Sequence, residues 1–203
     1  MKVITLNKKE LIAESKLLAK CILESSWNPD LIIGIKTGGI YVAQPLYKEI
    51  IKHYPSKYAT VSLSRASTQK KKKIKIDKLL KKLPYPLLDL MRKFEVYLFE
   101  ISKPKTYSPN LNKELNINKE LEKDLSLSKT VLLVDDAIDT GNTILTIKNK
   151  LLSINPNLTI KTAVLTTTHK TSFIEADYSL YNRVLLRCPW AADYKGEAYE
   201  ACN

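Results

Sequence analysis

At 203 residues, 44% of them apolar, the chain suits one domain with a sizeable core, and no apolar run reaches the ~18 residues that a membrane helix needs. Its three cysteines, Cys21, Cys188 and Cys202, are odd in number, far apart and without metal-ligand spacing; with no apolar signal region in MKVITLNKKE, this argues for a reduced, cytoplasmic protein with no membrane partner. The formal net charge of +12 suits an anionic partner, a small phosphate or RNA, but Lys and Asn are so abundant throughout that charge alone decides nothing.

Asn7-Lys8-Lys9-Glu10 spells a capping box, and Leu11, Leu18 and Ile22 continue one helical face to about Ser25, where Trp27-Asn28-Pro29 stops it. Leu31 to Ile35 is an apolar run suited to a strand buried on both faces. It leads through Lys36-Thr37-Gly38-Gly39 into a helix marked by Val42, Ala43, Leu46, Tyr47 and Ile50. A strand, a glycine turn and a helix place backbone N–H groups where an anion can sit, although a plain strand-to-helix turn has the same spelling. Ala59 to Ser64 is a short strand ending at Arg65, and the run Lys70 to Lys73 beyond it reads as a solvated loop. Leu79 to Ile101 has helical spacing (Leu87, Leu90, Met91, Phe94, Tyr97, Leu98, Ile101), begun near Pro84 or Pro86 and ended by Pro104. Lys105 to Ser128 is polar, with Leu111, Leu115, Leu121 and Leu125 as its anchors. The two segments read as an inserted helix pair that packs on the core or on another subunit.

The most informative stretch is Val131 to Ile144, VLLVDDAIDTGNTI. Four apolar residues form a buried strand, the carboxylates Asp135 and Asp136 stand at its end, and Asp139-Thr140-Gly141-Asn142-Thr143 runs into a helix carried by Ile144, Ile147, Leu151 and Leu152. Gly141 allows close backbone approach, Thr140 and Thr143 carry donor hydroxyls, and the helix N-terminus favours an anion. The acids one turn earlier can accept hydrogen bonds from a neutral polyol. A ribose 5-phosphate combines both groups. A Walker loop is excluded because no Gly-Lys-Thr stands here, and an aspartic protease would need an all-β context and a second Asp-Thr-Gly. After Asn155-Pro156-Asn157 come a strand from Leu158 to Thr166, the residues Thr167-Thr168-His169-Lys170, and a last strand, Val184-Leu185-Leu186-Arg187, followed by Cys188-Pro189-Trp190. Taken alone, His169 reads as a hydrogen-bonded loop residue and Trp190 as a buried structural one.

VLLVDDAIDTGNTI resembles the phosphoribosyl-pyrophosphate (PRPP) signature of the type I phosphoribosyltransferases. The resemblance implies an α/β fold with a parallel central sheet flanked by helices. The whole chain, 1–203, would be a single domain, with a lysine-rich loop and a mainly helical insertion at about 66–128. It implies transfer of ribose 5-phosphate from PRPP to a nucleobase with release of pyrophosphate. Mg²⁺ would be held mainly by ligand oxygens and water, with Asp135 and Asp136 as its protein contacts. By position in the family, Asp135, Asp136, Asp139, Thr140, Gly141, Asn142 and Thr143 would bind PRPP. Lys36, Thr37, Gly38 and Gly39 would contact its pyrophosphate, Arg65 would do so from a closing loop, and Asp139 would serve as base or proton shuttle.

For the base, Lys170 stands where 6-oxopurine enzymes carry a lysine that bonds the exocyclic oxygen. Leu185 stands where the bacterial xanthine-guanine enzymes stack an aromatic, which leaves that task to Trp190, Tyr194 or a residue elsewhere in the chain. Leu31–Ile50 and Ala163–Tyr178 are also similar to the pyrimidine-operon attenuator proteins. Those proteins usually lack an acid at the place of Asp139, which tilts the expectation toward a 6-oxopurine. The alternative is a PRPP- or nucleotide-sensing regulator that binds RNA or a partner protein, with little or no transfer activity. A homo-oligomer is expected in either case.

Overall fold

The apolar runs at 31–35 and 131–134 become neighbouring strands at the centre of one sheet in a computed structural model that describes residues 1–63, 80–102, 114–197 and 199. The elements in chain order are β1 (Lys2–Thr5), α1 (Lys8–Glu24), β2 (Leu31–Ile35), α2 (Gly38–Ile50), β3 (Lys57–Leu63), α3 (Tyr85–Ser102), β4 (Leu115–Asn116), α4 (Lys119–Leu127), β5 (Thr130–Ile138), α5 (Asn142–Ile154), β6 (Thr159–Thr167), β7 (Tyr178–Asn182) and β8 (Val184–Arg187). The main sheet has the order β4-β3-β2-β5-β6-β7 and is parallel except for the antiparallel edge strand β4. β1 and β8 form a separate parallel pair, from Lys2↔Val184 to Thr5↔Arg187.

Alternation along each strand sorts the core into two layers. Ile32, Leu132, Val134, Ala163 and Leu165 point to one face, where Leu11, Leu18 and Ile22 of α1 and Val42, Leu46 and Ile50 of α2 cover them. Leu31, Ile33, Val131, Leu133 and Val164 point to the other, against Leu121 and Leu125 of α4 and Ile144, Ile147 and Leu151 of α5. Burial of each such side chain contributes about 1.5–3 kcal/mol. The capping box of α1 closes at both ends: Glu10 N–H donates to Asn7 Oδ1 at 3.0 Å and Asn7 N–H to Glu10 Oε2 at 2.7 Å. Among the described residues, no helix is long and apolar enough to cross a membrane.

Two local expectations are corrected, and two more features of the insertion come into view. β1 and β7 are strands that their short, partly polar sequences do not announce. β5 extends past Val134 to Ile138, so both acids lie within the strand, because β6 continues to pair with it as far as Ile138↔Thr167. Of the segment expected at 105–128, the described residues 114–128 form the short strand β4 on the β3 edge and the helix α4, while 105–113 lie outside the described residues. Of the two placements left open for the apolar stripe of α3, the core is not the one it takes within this chain: Leu87, Leu90, Met91, Phe94, Tyr97, Leu98 and Ile101 are all exposed, while Leu88 and Val96 are buried. The inward side of α3 carries Asp89 and Arg92, which are held by buried partners of opposite charge.

Candidate active site

The site begins where the sheet changes direction. β2 pairs with β5 only up to Gly34↔Val134, whereas β5 runs on against β6. α2 then leaves to one face and α5 to the other, so a crevice opens between β2 and β5 at their carboxyl ends, the place where open α/β sheets take ligands. Gly38 and Gly39, the first residues of α2, lie directly against the two acids. A Cβ on Gly38 would stand 2.5 Å from the carboxyl carbon of Asp136, and one on Gly39 would stand 2.5 Å from the Val134 carbonyl and 2.9 Å from Asp135 Oδ1. Two motifs almost a hundred residues apart in sequence therefore meet backbone to carboxylate.

The acids are confined. Asp136 N–H donates to Asp135 Oδ1 at 2.9 Å, and the Trp190 indole N–H donates to Asp136 Oδ2 at 3.1 Å. Burial, and then the neighbouring charge of Asp136, push the Asp135 carboxyl well above the usual carboxylate range. Burial raises Asp136 too, against the opposing hydrogen bonds from Asp135 and Trp190. Among the described residues neither acid takes part in a salt bridge. Two desolvated carboxyls without a cationic partner suit a ligand that brings hydroxyl donors or a cation.

The Thr-Gly turn follows. Gly141 caps α5 with φ of +79°, a left-handed conformation, and a Cβ there would lie 2.5 Å from Ile174 Cγ2. The Asn142 N–H donates to Thr140 Oγ1 at 3.2 Å, and the Thr140 carbonyl accepts from Phe173 N–H at 2.8 Å, which ties the turn to the loop after β6. Asn142 Oδ1 is buried with no hydrogen-bond partner among the described residues. Its amide ends exchange by a simple flip, so this position can offer a donor to an anion.

A cleft of about 1160 Å³ opens over these residues. Of the expected site residues it is lined by Asp135, Asp136, Asp139, Thr140, Gly141, Asn142, Thr143, Leu185 and Trp190. Gly38 and Gly39 lie buried beneath the acids, and Lys36 and Thr37 are exposed next to them, all four outside the cleft lining. The Lys36 N–H donates to the Val61 carbonyl at 2.8 Å. Lys170 is not brought into the cleft: its side chain is exposed, and its backbone N–H donates to Glu100 Oε1 at 3.0 Å. Arg65, and the run Lys70 to Lys73, lie outside the described residues. As for a metal, among the described residues there is no group of three or more His, Cys, Asp or Glu able to hold one. Asp135 and Asp136 are the carboxylates in place, and that donor set fits a Mg²⁺ whose remaining ligands are phosphate oxygens and water.

One wall of the cleft is absent from the sequence reading. It is α3, whose Leu88, Val96 and Phe99 line the cleft while Arg92 and Asp89 fasten the helix to the β8 end. Arg92 Nε donates to Asp193 Oδ2 at 2.8 Å and its Nη1 to the Leu186 carbonyl at 3.0 Å. Arg187, only 1% exposed, donates to Asp193 at 2.9 Å, to Asp89 at 2.6 Å and to Thr5 Oγ1 at 3.0 Å. Burial works against ionisation of Asp193, but the two arginines hold its carboxyl below the usual range. The available signal was an acid and an arginine three residues apart inside an apolar helix. Nothing in the sequence names their partners.

Solved structures share this architecture. A purine phosphoribosyltransferase from Pyrococcus horikoshii aligns with a TM-score of 0.58 at 17% identity, covering 94% of this chain and 95% of that one. A xanthine-guanine-hypoxanthine phosphoribosyltransferase from Helicobacter pylori aligns at 0.53 and 12% identity, over 93% and 92%. A hypoxanthine phosphoribosyltransferase variant from Trypanosoma cruzi, complexed with the product IMP, aligns at 0.52 and 14% identity, over 86% and 74%. Among curated proteins, none matches the sequence. At these identities the likeness establishes the fold. The family follows from the sequence itself: the phosphoribosyl transferase domain model matches residues 3–189, from β1 through β8, and the chain belongs to that family of enzymes.

Proposed function

We propose that the chain transfers ribose 5-phosphate from PRPP to a ring nitrogen of a nucleobase, with a 6-oxopurine as the favoured base. The observation that carries this reading is the meeting of Gly38-Gly39 with Asp135-Asp136 beside the turn Asp139–Thr143. That arrangement offers a ribose, a 5-phosphate and a pyrophosphate one station each. The bond from the anomeric carbon to pyrophosphate breaks with its electron pair leaving on pyrophosphate, the bond to the base nitrogen forms, and the nitrogen's proton passes to Asp139. Asp135 and Asp136 accept hydrogen bonds from the ribose hydroxyls, and Thr140, Gly141, Asn142 and Thr143 hold the 5-phosphate. Lys36, Thr37, Gly38, Gly39 and Arg65 serve the pyrophosphate. Asp135 and Asp136, with ligand oxygens and water, would hold Mg²⁺, which when bound offsets the negative charge of the leaving group. The preference for a 6-oxopurine rests on the acid at Asp139.

The test is incubation with PRPP, Mg²⁺ and, in turn, hypoxanthine, guanine, xanthine, adenine and uracil, with pyrophosphate release as the readout. Release with a 6-oxopurine is expected, and silence with all five sinks the proposal. We also treat residues 1–203 as one domain of a homo-oligomeric cytoplasmic enzyme. The part of the α3 stripe outside the cleft supports self-association, since Leu87, Leu90, Tyr97 and Ile101 are all exposed there. Light scattering on the chain and on its Leu90→Lys, Ile101→Lys variant measures this, and a parent chain that is monomeric at micromolar concentration removes it.

A further inference from the structure

The base end of the cleft has a plain deficiency. Leu185 on β8 offers no ring, and the aromatic that follows it is already engaged. Trp190 stacks on Tyr41 with centroids 5.0 Å apart and planes inclined by 20°, Tyr199 approaches at 6.2 Å, and the indole N–H is committed to Asp136. Its indole N–H holds the acid and one face of its ring is taken by Tyr41, so Trp190 is anchored at the acid end of the cleft.

α3 adds two phenyl rings to the lining of the same cleft, Phe94 and Phe99, and of these Phe94 is the more exposed. Phe99, on the inner side of α3, stacks on the imidazole of His169 with centroids 4.6 Å apart and planes inclined by 29°. The pair is fixed on both sides. Glu100, the next residue, accepts the backbone N–H of Lys170 at 3.0 Å and lies 3.7 Å from the Arg183 guanidinium, so the end of α3 is bound to the loop that carries His169. Toward its start, α3 is held by Arg92 on Asp193 and by Asp89 on Arg187. A ring fastened in this way pays little ordering entropy when a ligand stacks on it.

We infer that Phe99, braced by His169, is the aromatic platform on which the acceptor base lies, so that the insertion helix supplies what β8 lacks. The inference rests on the transfer reading and assigns it a residue that determines substrate class. In a cleft also lined by Leu88, Val96 and Leu185, an aromatic face takes planar heteroaromatic rings and favours bicyclic ones, whose overlap is larger.

Steady-state kinetics with PRPP and the best base separate the two ideas. In Phe99→Leu, which keeps the bulk and loses the ring, and in Phe99→Ala, the base KM rises about tenfold or more while the PRPP KM and kcat stay within about twofold. Phe99→Tyr restores the parent base KM. Parent turnover with an unchanged base KM in Phe99→Leu overturns the platform and leaves the transfer reading standing. A loss shared equally by base and PRPP marks a merely structural role and also overturns it. Absence of turnover in the parent chain removes the transfer reading and this inference together.

Discussion

The two ends of the cleft are built from different materials. The end at the β2–β5 crevice is made of two short contiguous motifs, a glycine pair pressed on an acid pair, and a turn of five consecutive residues. The α3 end is made of long side chains that meet across the fold, with Arg92, Asp193, Arg187 and Asp89 linking residues about a hundred positions apart. The first end is fixed by close approach of the α2 backbone to the acids, so its specificity lies in where glycine is required. The second is fixed by charge pairing, so it fails when one partner is removed.

Arg187→Met strikes the second end hardest. It leaves Asp89 without its arginine and Asp193 with only Arg92, and removing one member of a buried ion network costs about 3 kcal/mol or more. Denaturant titration reads this directly, and a loss below about 1 kcal/mol would mean that α3 is held by something else. Asp139→Asn acts on chemistry alone: kcat is expected to fall about 10²-fold, while PRPP affinity measured by calorimetry changes little. Collapse of PRPP affinity would assign Asp139 to binding instead. Gly141→Ala tests the first end. A side chain at φ +79° and 2.5 Å from Ile174 is expected to destabilise the fold by about 2 kcal/mol and to abolish PRPP binding. Retention of binding would show that the turn tolerates distortion.

The gentlest change sharpens the contrast. The Asp135 carboxyl is raised, so the folded chain keeps a proton that the unfolded chain releases. Stability from this group is therefore complete below the unfolded value near 3.8 and is lost as pH climbs through the raised folded value. Asp135→Asn should melt higher than the parent above that window, match it below, and bind PRPP less well. Such a trade of stability for function is expected of acids held in wait for a ligand. Equal melting temperatures at neutral pH would show that the carboxyl carries no burial penalty.

The same contrast explains what could be read in advance. The buried strands β2 and β5, helix α5 and the PRPP turn announce themselves because their signals are contiguous: an apolar run, an acid pair, and a glycine at a turn that requires one. α3 was legible as a helix, yet its orientation was not, since apolar spacing pointed to Phe94 and Leu98 whereas Arg187 and Asp193 hold the opposite side. Periodicity weighs hydrophobic burial and is blind to a long-range ion network. β1 and β7 were missed because four or five partly polar residues acquire strand character only from their neighbours. The bond of Trp190 to Asp136 was not legible, because it joins residues 54 positions apart.

The account turns on the acids of β5 gripping the ribose of PRPP. Calorimetric titration of PRPP with Mg²⁺ into the parent chain and into the Asp135→Asn, Asp136→Asn double variant addresses that point most directly. Saturable binding to the parent and its loss in the folded double variant are the predicted results; equal affinity in both, or none in the parent, would contradict it.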